Sequence, residues 1–447
     1  MTNKTKFKFS FEQIVVLGYF VIIMVGGTLL SLPIASNTST WTPYVNALFT
    51  ATSATCVTGL VVYDTYLHFS LFGQTVILIL IQIGGIGFMT IITIFSVYLK
   101  RNIGLHERKL LMQSTGSMEI AGIVRMVKRI VTGTFIFEGF GTLILATRFC
   151  PDLGFWDGLY AALFHSVSAF CNAGFDIMGR FGAYSSLTNY SNDLYVNLTI
   201  MTLIITGGIG FVVWNDIVLH LHHLKKYQLH SKIALSATLV LIVMGTLLFY
   251  IFENHYSLAD LNQTDKILAS MFQAITPRTA GFNTVEIGSL SESGHLLTIL
   301  LMFIGGSPGS TAGGIKTTTF VVMIMGAFAS SRHQSHINIF KRRLDEHIVR
   351  EASAIATLYV FLIICSTLFI SFIQNFELKD VLFEVVSAIG TVGLSTGITM
   401  SLNDTSKLII MLMMFAGRVG GLTLALVLAE KRTHTQTNRP IERIMIG

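Results

Sequence analysis

The sequence predicts an all-α membrane protein with four pseudo-symmetric membrane–pore-loop–membrane repeats around one central pore. Of the 447 residues, 52% are hydrophobic and only 12% are charged, whereas soluble domains carry about 25% charged residues. Several apolar runs approach or reach the ~20 residues that a helix needs to cross a ~30 Å hydrocarbon layer. These runs are Ile14–Leu32, Thr75–Tyr98, Val131–Thr147, Leu194–Val213, Ile233–Phe252, Ile355–Ile373 and Leu408–Leu428.

Four short amphipathic segments, each ending in a glycine, indicate the internal repeat. Gly59, Gly174, Gly281 and Gly393 are 115, 107 and 112 residues apart, and a phenylalanine precedes each glycine by nine or ten positions. A long apolar run lies on either side of each segment. Because the segment is too short to span, the pattern predicts a re-entrant half-helix followed by an extended loop. The predicted divisions are repeats at 1–100, 101–222, 223–332 and 333–430, and a cytoplasmic tail at 431–447.

The second apolar run of each repeat carries glycines at matching places, at 84–87, 207–210, 305–306 and 417–421. Small residues let membrane helices approach one another closely. In the first two repeats we therefore interpret the glycines as sites of helix packing. They are not a nucleotide-binding motif, since no strand precedes them.

The placement of charge predicts the orientation. Most of the 30 lysines and arginines lie at the termini and between repeats, whereas the opposite face is acidic. The positive-inside rule therefore places both termini of a multi-pass membrane protein in the cytoplasm. An acidic mouth raises the local concentration of cations. The net charge of +6 thus fits a protein embedded in a lipid bilayer, and we predict no nucleic-acid partner.

The four glycine loops are the predicted selectivity filter. A cation that crosses a membrane must exchange its water shell for other oxygens, and rings of backbone carbonyls supply them. Glycine permits the backbone angles that such a loop needs; the alternative is that these glycines merely end helices. The predicted coordinating carbonyls belong to Val57, Thr58, Gly59, Asn172, Ala173, Gly174, Thr279, Ala280, Gly281, Thr391, Val392 and Gly393.

A candidate gate interrupts the second apolar run of the third repeat. Its glycines and proline should break a helix, and broken backbone at mid-membrane usually lines a transport path; a packing kink is the alternative. Arg418 occupies the matching place in the fourth repeat, and an intramembrane arginine is a functional hypothesis by default. We predict that Arg418 and the loop form a constriction below the filter. The loop consists of Gly305, Gly306, Ser307, Pro308, Gly309, Ser310, Thr311, Ala312, Gly313 and Gly314.

Three sequences carry a family resemblance: TPRTAGF at 276–282, GGIGF in the first two repeats, and GGSPGSTAGGIK at 305–316. They resemble the Trk/Ktr/HKT superfamily of potassium transporters, and the whole chain is similar to a KtrB-type membrane subunit. The resemblance implies a bacterial cell membrane as the location, K+ as the transported ion, a homodimer, and regulation by a cytoplasmic ring of nucleotide-binding RCK subunits. The resemblance also implies that the loop at 305–314 and Arg418 form the gate. In that family, glycine at all four filter positions goes with potassium and serine in the first loop with sodium, so the resemblance favours potassium here.

Two other functions compete with a channel-like potassium subunit. One is a secondary cation transporter with alternating access, including sodium/potassium co-transport, although an even number of spans per repeat gives parallel rather than inverted repeats. The other is a membrane scaffold or receptor without transport. No arrangement of residues suggests catalysis, so we predict no enzyme. The residues leave open whether Na+ is co-transported or an activator, and the roles of Arg278 and Glu138; for Lys316 we favour a side chain that extends towards the cytoplasm.

Overall fold

The computed structural model describes residues 11–87, 89–91, 104, 108–109, 111–112, 122–334 and 336–420. The predicted tail at 431–447, most of the basic linker after the first repeat, and the ends of the runs Thr75–Tyr98 and Leu408–Leu428 lie outside these residues. The described helices, numbered in chain order, are α1 Phe11–Ser31, α2 Tyr44–Thr55, α3 Thr65–His68, α4 Leu71–Ile86, α5 Ile123–Leu153, α6 Phe155–Phe170, α7 Leu194–Gly208, α8 Phe211–His220, α9 Leu229–Glu253, α10 Gln263–Ile275, α11 Glu292–Phe303, α12 Thr317–Ser331, α13 Glu346–Ile373, α14 Leu378–Gly390 and α15 Asp404–Val419. A small antiparallel hairpin pairs β1 Asn338–Ile339 with β2 Arg342–Arg343.

The first span of each predicted repeat is a long helix. The segments Gln13–Ser31, Ile123–Leu153, Leu229–Glu253 and Glu346–Ile373 are long and apolar enough to cross a membrane. Large apolar side chains on these helices face outward; Phe372, for example, is 89% exposed. Because hydrocarbon offers no partner for backbone polar groups, continuous helices with such apolar surfaces suit lipid contact.

The short segments form half-helices at the centre of the protein. The helices α2, α6, α10 and α14 contain 12, 16, 13 and 13 residues, too few to span. The phenylalanine of each repeated segment is fully buried in the core. These residues are Phe49, Phe164, Phe272 and Phe383. The recurring phenylalanine thus anchors each half-helix by burial of its ring, worth roughly 1.5–3 kcal/mol per side chain.

The helix at the start of each predicted second span begins at a capped end. A Ser, Asp or Asn side chain accepts a hydrogen bond from a free backbone N–H of the first turn, the contact that most favours a helix start. The pairs are Ser70 with Gly73 (3.3 Å), Asp193 with Tyr195 (2.9 Å), Ser291 with Gly294 (3.0 Å) and Asn403 with Ser406 (2.8 Å). The sequence therefore defines where the chain turns back into the protein.

The second spans are broken at glycines, in more repeats than we predicted. We expected one interruption, in the third repeat, where residues 304–316 separate α11 from α12. The helices α7 and α8 are also bent by 95°, at Gly210, whose φ is +100°. Helices α4 and α15 end in the same way, at Gly87 (φ +86°) and Gly420 (φ +96°). The interpretation of the run Leu194–Val213 as one continuous helix was therefore wrong.

Packing remains the role of the other glycines in these clusters. A Cβ on Gly84, Gly207 or Gly417 would collide with the carbonyl oxygen near the end of the preceding half-helix. The carbonyls belong to Thr55, Phe170 and Ile389. In these three repeats the absent side chains thus let the helix press against the base of the predicted filter loop that precedes it.

Candidate functional site

The four loop glycines form a closed ring. A Cβ added to any one of them would collide with the carbonyl oxygen of the residue that precedes the glycine in the next loop. The added Cβ would lie 2.6 Å from Ala173 O at Gly59 and 2.6 Å from Ala280 O at Gly174. At Gly281 it would meet Val392 O, and at Gly393 it would meet Thr58 O. Loop 1 therefore meets loop 2, loop 2 meets loop 3, loop 3 meets loop 4, and loop 4 meets loop 1. The predicted filter residues are brought together around one axis.

All four loops share an unusual backbone. Two residues before the glycine, a residue other than glycine adopts a positive φ, and the residue between the two keeps a negative φ. The positive angles are Val57 (+51°), Asn172 (+57°), Thr279 (+76°) and Thr391 (+51°), and those of the glycines range from +68° to +92°. Such conformations cost about 1–3 kcal/mol each and cluster at functional sites. Alternating signs of φ turn successive carbonyls towards the same side, which suits coordination of an ion on the axis.

A buried hydroxyl holds each loop, and the sequence prediction missed these residues. In loops 1 and 4 a serine Oγ accepts the N–H of the filter glycine at 3.0 and 3.1 Å. In loops 2 and 3 the hydroxyl instead donates to the carbonyl oxygen of the residue after the glycine, Phe175 or Phe282. The residues are Ser53, Ser387, Ser168 and Thr276. A signal was present, since a serine or threonine lies five or six positions before every filter glycine.

A cavity of about 230 Å³ opens on the side of the ring where the chain leaves the loops. All four glycines line it, together with the carboxyl-bearing residues Asp64, Asp176 and Glu286. Asp64 also fixes the cavity wall, because its carboxylate accepts the N–H groups of Tyr66 at 2.9 Å and Tyr184 at 2.8 Å. A cleft lined by negative charge concentrates cations next to the ring.

The segment 305–314, the predicted gate and hereafter called the gate loop, lies on the other side of the ring, against the ends of two half-helices. Thr311 Oγ1 donates to Phe170 O at 3.2 Å, at the end of α6. A Cβ on Gly313 would meet the side chain of Thr391, in loop 4. The gate loop also bonds to the break between α7 and α8, since Phe211 N donates to Gly309 O at 2.7 Å.

Arg418 joins the gate loop to the first repeat. Its guanidinium donates to Thr311 O, to Gly84 O, and to Gly85 O at 3.3 Å. Gly84 and Gly85 lie in the last turn of α4, where free carbonyls carry partial negative charge. All three acceptors are backbone oxygens, so the arginine brings a positive charge beside the loop without a carboxylate among these contacts.

Lys316 does not extend towards the cytoplasm as we expected. Its Nζ donates to Ala312 O at 2.7 Å and to Gly313 O at 3.3 Å. The chain curls around the ammonium group because the broken helix leaves carbonyls without N–H partners. Lys316 therefore stabilises the curled form of the gate loop.

Two further ionisable residues of the predicted membrane region have structural contacts. Arg278, 7% exposed, donates from Nη2 to Thr238 Oγ1 at 3.1 Å. Glu138, 3% exposed, accepts from Gln82 Nε2 at 3.0 and 3.1 Å. The Sγ of Cys171, the residue before filter loop 2, lies 3.8 Å from the same carboxylate. Glu138 thus links two spans to the base of that loop.

Comparisons with known proteins agree with this architecture. Residues 2–437 match the family described as TrkH, cation transport protein. The Ktr system potassium uptake protein B of Bacillus subtilis is 41% identical over 425 residues, 95% of this chain and 94% of that protein. The potassium/sodium uptake protein NtpJ of Enterococcus hirae is 36% identical over 454 residues, 100% of this chain and 99% of that protein.

The fold is also that of a solved relative. The crystal structure of the potassium transporter TrkH from Vibrio parahaemolyticus matches with a TM-score of 0.73 and 19% identity, over 96% of this chain and 87% of that one. The predicted helical membrane fold and the family resemblance are confirmed, and the family is one of transporters rather than enzymes. With a family match that spans nearly the whole sequence, the chain belongs to the TrkH family of cation transport proteins.

Proposed function

We propose that this chain is the potassium-translocating membrane subunit of a potassium uptake system, and that ions pass through the ring of filter loops. The observation that carries the proposal is the closed ring of glycine-to-carbonyl contacts between successive loops. The printed names of the Bacillus subtilis and Enterococcus hirae relatives, both potassium uptake proteins, support K+ as the ion. Each of the four predicted repeats supplies one wall of the filter.

Coordination by backbone oxygens suits permeation better than binding to fixed charge. Twelve carbonyls, three from each loop, replace the hydration shell without holding the ion as tightly as carboxylates would. The carboxylates instead lie in the outer cavity, where Asp64, Asp176 and Glu286 gather cations before they lose water. The strain stored at Val57, Asn172, Thr279 and Thr391 keeps the carbonyls oriented in advance of the ion.

The gate loop and Arg418 close the path below the filter. A unit charge about 4 Å from a cation repels it by ~4 kcal/mol at an effective dielectric constant of 20. That is enough to slow permeation about a thousandfold, so the guanidinium has to move for rapid flux. Its bonds to Thr311 O and Gly84 O fix it in place while the gate loop is curled.

The subunit works with partners in this proposal. The name "Ktr system potassium uptake protein B" describes one component of a system, which supports a separate regulatory chain. We place that chain, an RCK-type ring, on the cytoplasmic side of a homodimer in a bacterial cell membrane, with both termini of each subunit on that side. A second candidate, sodium-linked potassium transport, is favoured by the name of the potassium/sodium uptake protein of Enterococcus hirae.

Competition for rubidium flux tests the function. The purified chain in liposomes is expected to take up radioactive Rb+, and unlabelled K+ or Rb+ should compete at concentrations at least about tenfold below those of Na+ or Li+, a difference of ~1.4 kcal/mol. Protein-free liposomes are the control for leak. Equal competition by all four ions, or flux no higher than the leak, would contradict the proposal. Stimulation of Rb+ flux by added Na+ would favour the sodium-linked candidate.

A further inference from the structure

The carbonyls at the end of α6 have distinct partners. The loop's own N–H groups bond three of them: Cys171 N to Val167 O at 2.9 Å, Asn172 N to Ala169 O at 3.1 Å, and Ala173 N to Ser168 O at 2.8 Å. The next carbonyl, Phe170 O, accepts instead from Thr311 Oγ1 at 3.2 Å. A side chain of the gate loop thus supplies a hydrogen bond that the last turn of a helix normally lacks.

Thr311 is held on three sides. Its N–H donates to Gly207 O at 3.3 Å, its carbonyl accepts from Arg418, and its hydroxyl reaches Phe170. The residue is fully buried, with 0% exposure. The position of the gate loop therefore fixes the hydroxyl, and the hydroxyl in turn fixes a carbonyl two residues before Asn172, the first strained residue of filter loop 2.

The same gate loop also lies beneath loop 4. A Cβ on Gly313 would lie 2.8 Å from Thr391 Cγ2, and one on Gly314 would lie 3.1 Å from Gly390 O. Loops 2 and 4 face each other across the ring, since successive loops are neighbours. One segment of the third repeat therefore contacts two opposite walls of the filter from below.

We propose that Thr311 is a positioning residue that determines ion selectivity: its hydroxyl holds filter loop 2 in the coordinating conformation and couples the gate loop to ion discrimination. The inference rests on the proposed potassium flux and adds to it. When the gate loop is displaced, Phe170 O loses its donor, the base of loop 2 relaxes, and the ring discriminates less sharply between K+ and Na+.

The test compares Thr311→Val, which keeps the shape and removes the hydroxyl, with Thr311→Ser, which keeps the hydroxyl. Rb+ and Na+ fluxes are measured in the same liposomes. The ratio of Rb+ to Na+ flux should fall about two- to tenfold in Thr311→Val, as expected for loss of one net hydrogen bond, and should recover in Thr311→Ser. Thr311→Ala is the second hydroxyl-lacking variant and should behave as Thr311→Val does.

Thr298→Val is the matched control. Thr298 is also buried, in α11 of the same repeat, and its hydroxyl bonds within its own helix to Gly294 O at 2.8 Å. It should keep the wild-type ratio. A wild-type ratio in both hydroxyl-lacking variants, or an equal shift in Thr298→Val or Thr311→Ser, would overturn the role of Thr311 while leaving the proposed function intact. Absence of selective flux in the wild-type chain would overturn both.

Discussion

Gly174→Ala is expected to reduce Rb+ flux about 100-fold. The new Cβ would lie 2.6 Å from Ala280 O and 2.9 Å from Gly281 Cα, and both atoms belong to the backbone of the next loop. A left-handed conformation, with φ +68°, adds about 1–2 kcal/mol for a residue with a Cβ, and overpacking adds about 1–3 kcal/mol. Loop 3 has to shift, and the ring then loses the geometry of its carbonyls.

Gly139→Ala is the control for this prediction. Gly139 lies in the long helix α5, and a Cβ there would meet nothing within 4 Å apart from the helix's own backbone. Alanine favours helix more than glycine by about 1 kcal/mol, so this variant should transport at the wild-type rate. Rubidium uptake into liposomes with equal amounts of folded protein measures both. Normal uptake by Gly174→Ala would show that the glycine ring does not carry the ions.

Arg418→Ala is expected to raise Rb+ flux tenfold or more. Loss of the guanidinium charge lowers the electrostatic barrier to the cation by about 1.4 kcal/mol or more, and that amount corresponds to a tenfold change in rate. The substitution removes the positive charge and the donors to Thr311 O, Gly84 O and Gly85 O. The gate loop then loses one of the contacts that hold it. The electrostatic barrier to a cation is lower, and the loop spends less time in the position that blocks the path.

Arg418→Lys separates charge from geometry. Lysine keeps the positive charge but has no planar fork to bond two segments at once, so its flux should lie between those of the wild type and Arg418→Ala. A deletion within 307–312 should raise flux as Arg418→Ala does. If Arg418→Ala and the deletion both leave Rb+ flux unchanged, the gate lies elsewhere. Unfolding temperatures of all variants distinguish a changed gate from a damaged protein.

Side-chain patterns predicted where the helices lie but not where the chain bends between them. The recurring phenylalanines and glycines located α2, α6, α10 and α14, because burial at the same place in each repeat selects the same residue types. The run Leu194–Val213 was wrongly predicted to be continuous, since an apolar composition suits two helices bent by 95° as well as one. The bend coincides with the positive φ of Gly210, and many helical glycines have no such role.

The backbone conformation of the filter loops could not be predicted from the sequence for a related reason. The left-handed residues Val57, Thr279 and Thr391 are β-branched, types that local preference would assign to extended strand. Contacts between successive loops impose the conformation, together with hydroxyls six positions before the glycine, such as those of Ser53 and Ser387. The predicted direction of the Lys316 side chain was wrong for the same kind of reason. Its acceptors, Ala312 O and Gly313 O, lack backbone partners only because this segment is not helical.

Ion density at the filter is the most direct measurement. Crystals grown in Rb+ and examined at the rubidium absorption edge should give an anomalous peak on the axis of the ring formed by Gly59, Gly174, Gly281 and Gly393, and the peak should disappear when Na+ replaces Rb+. Rubidium density elsewhere in the membrane region, with none enclosed by these four glycines, would contradict coordination by the loops.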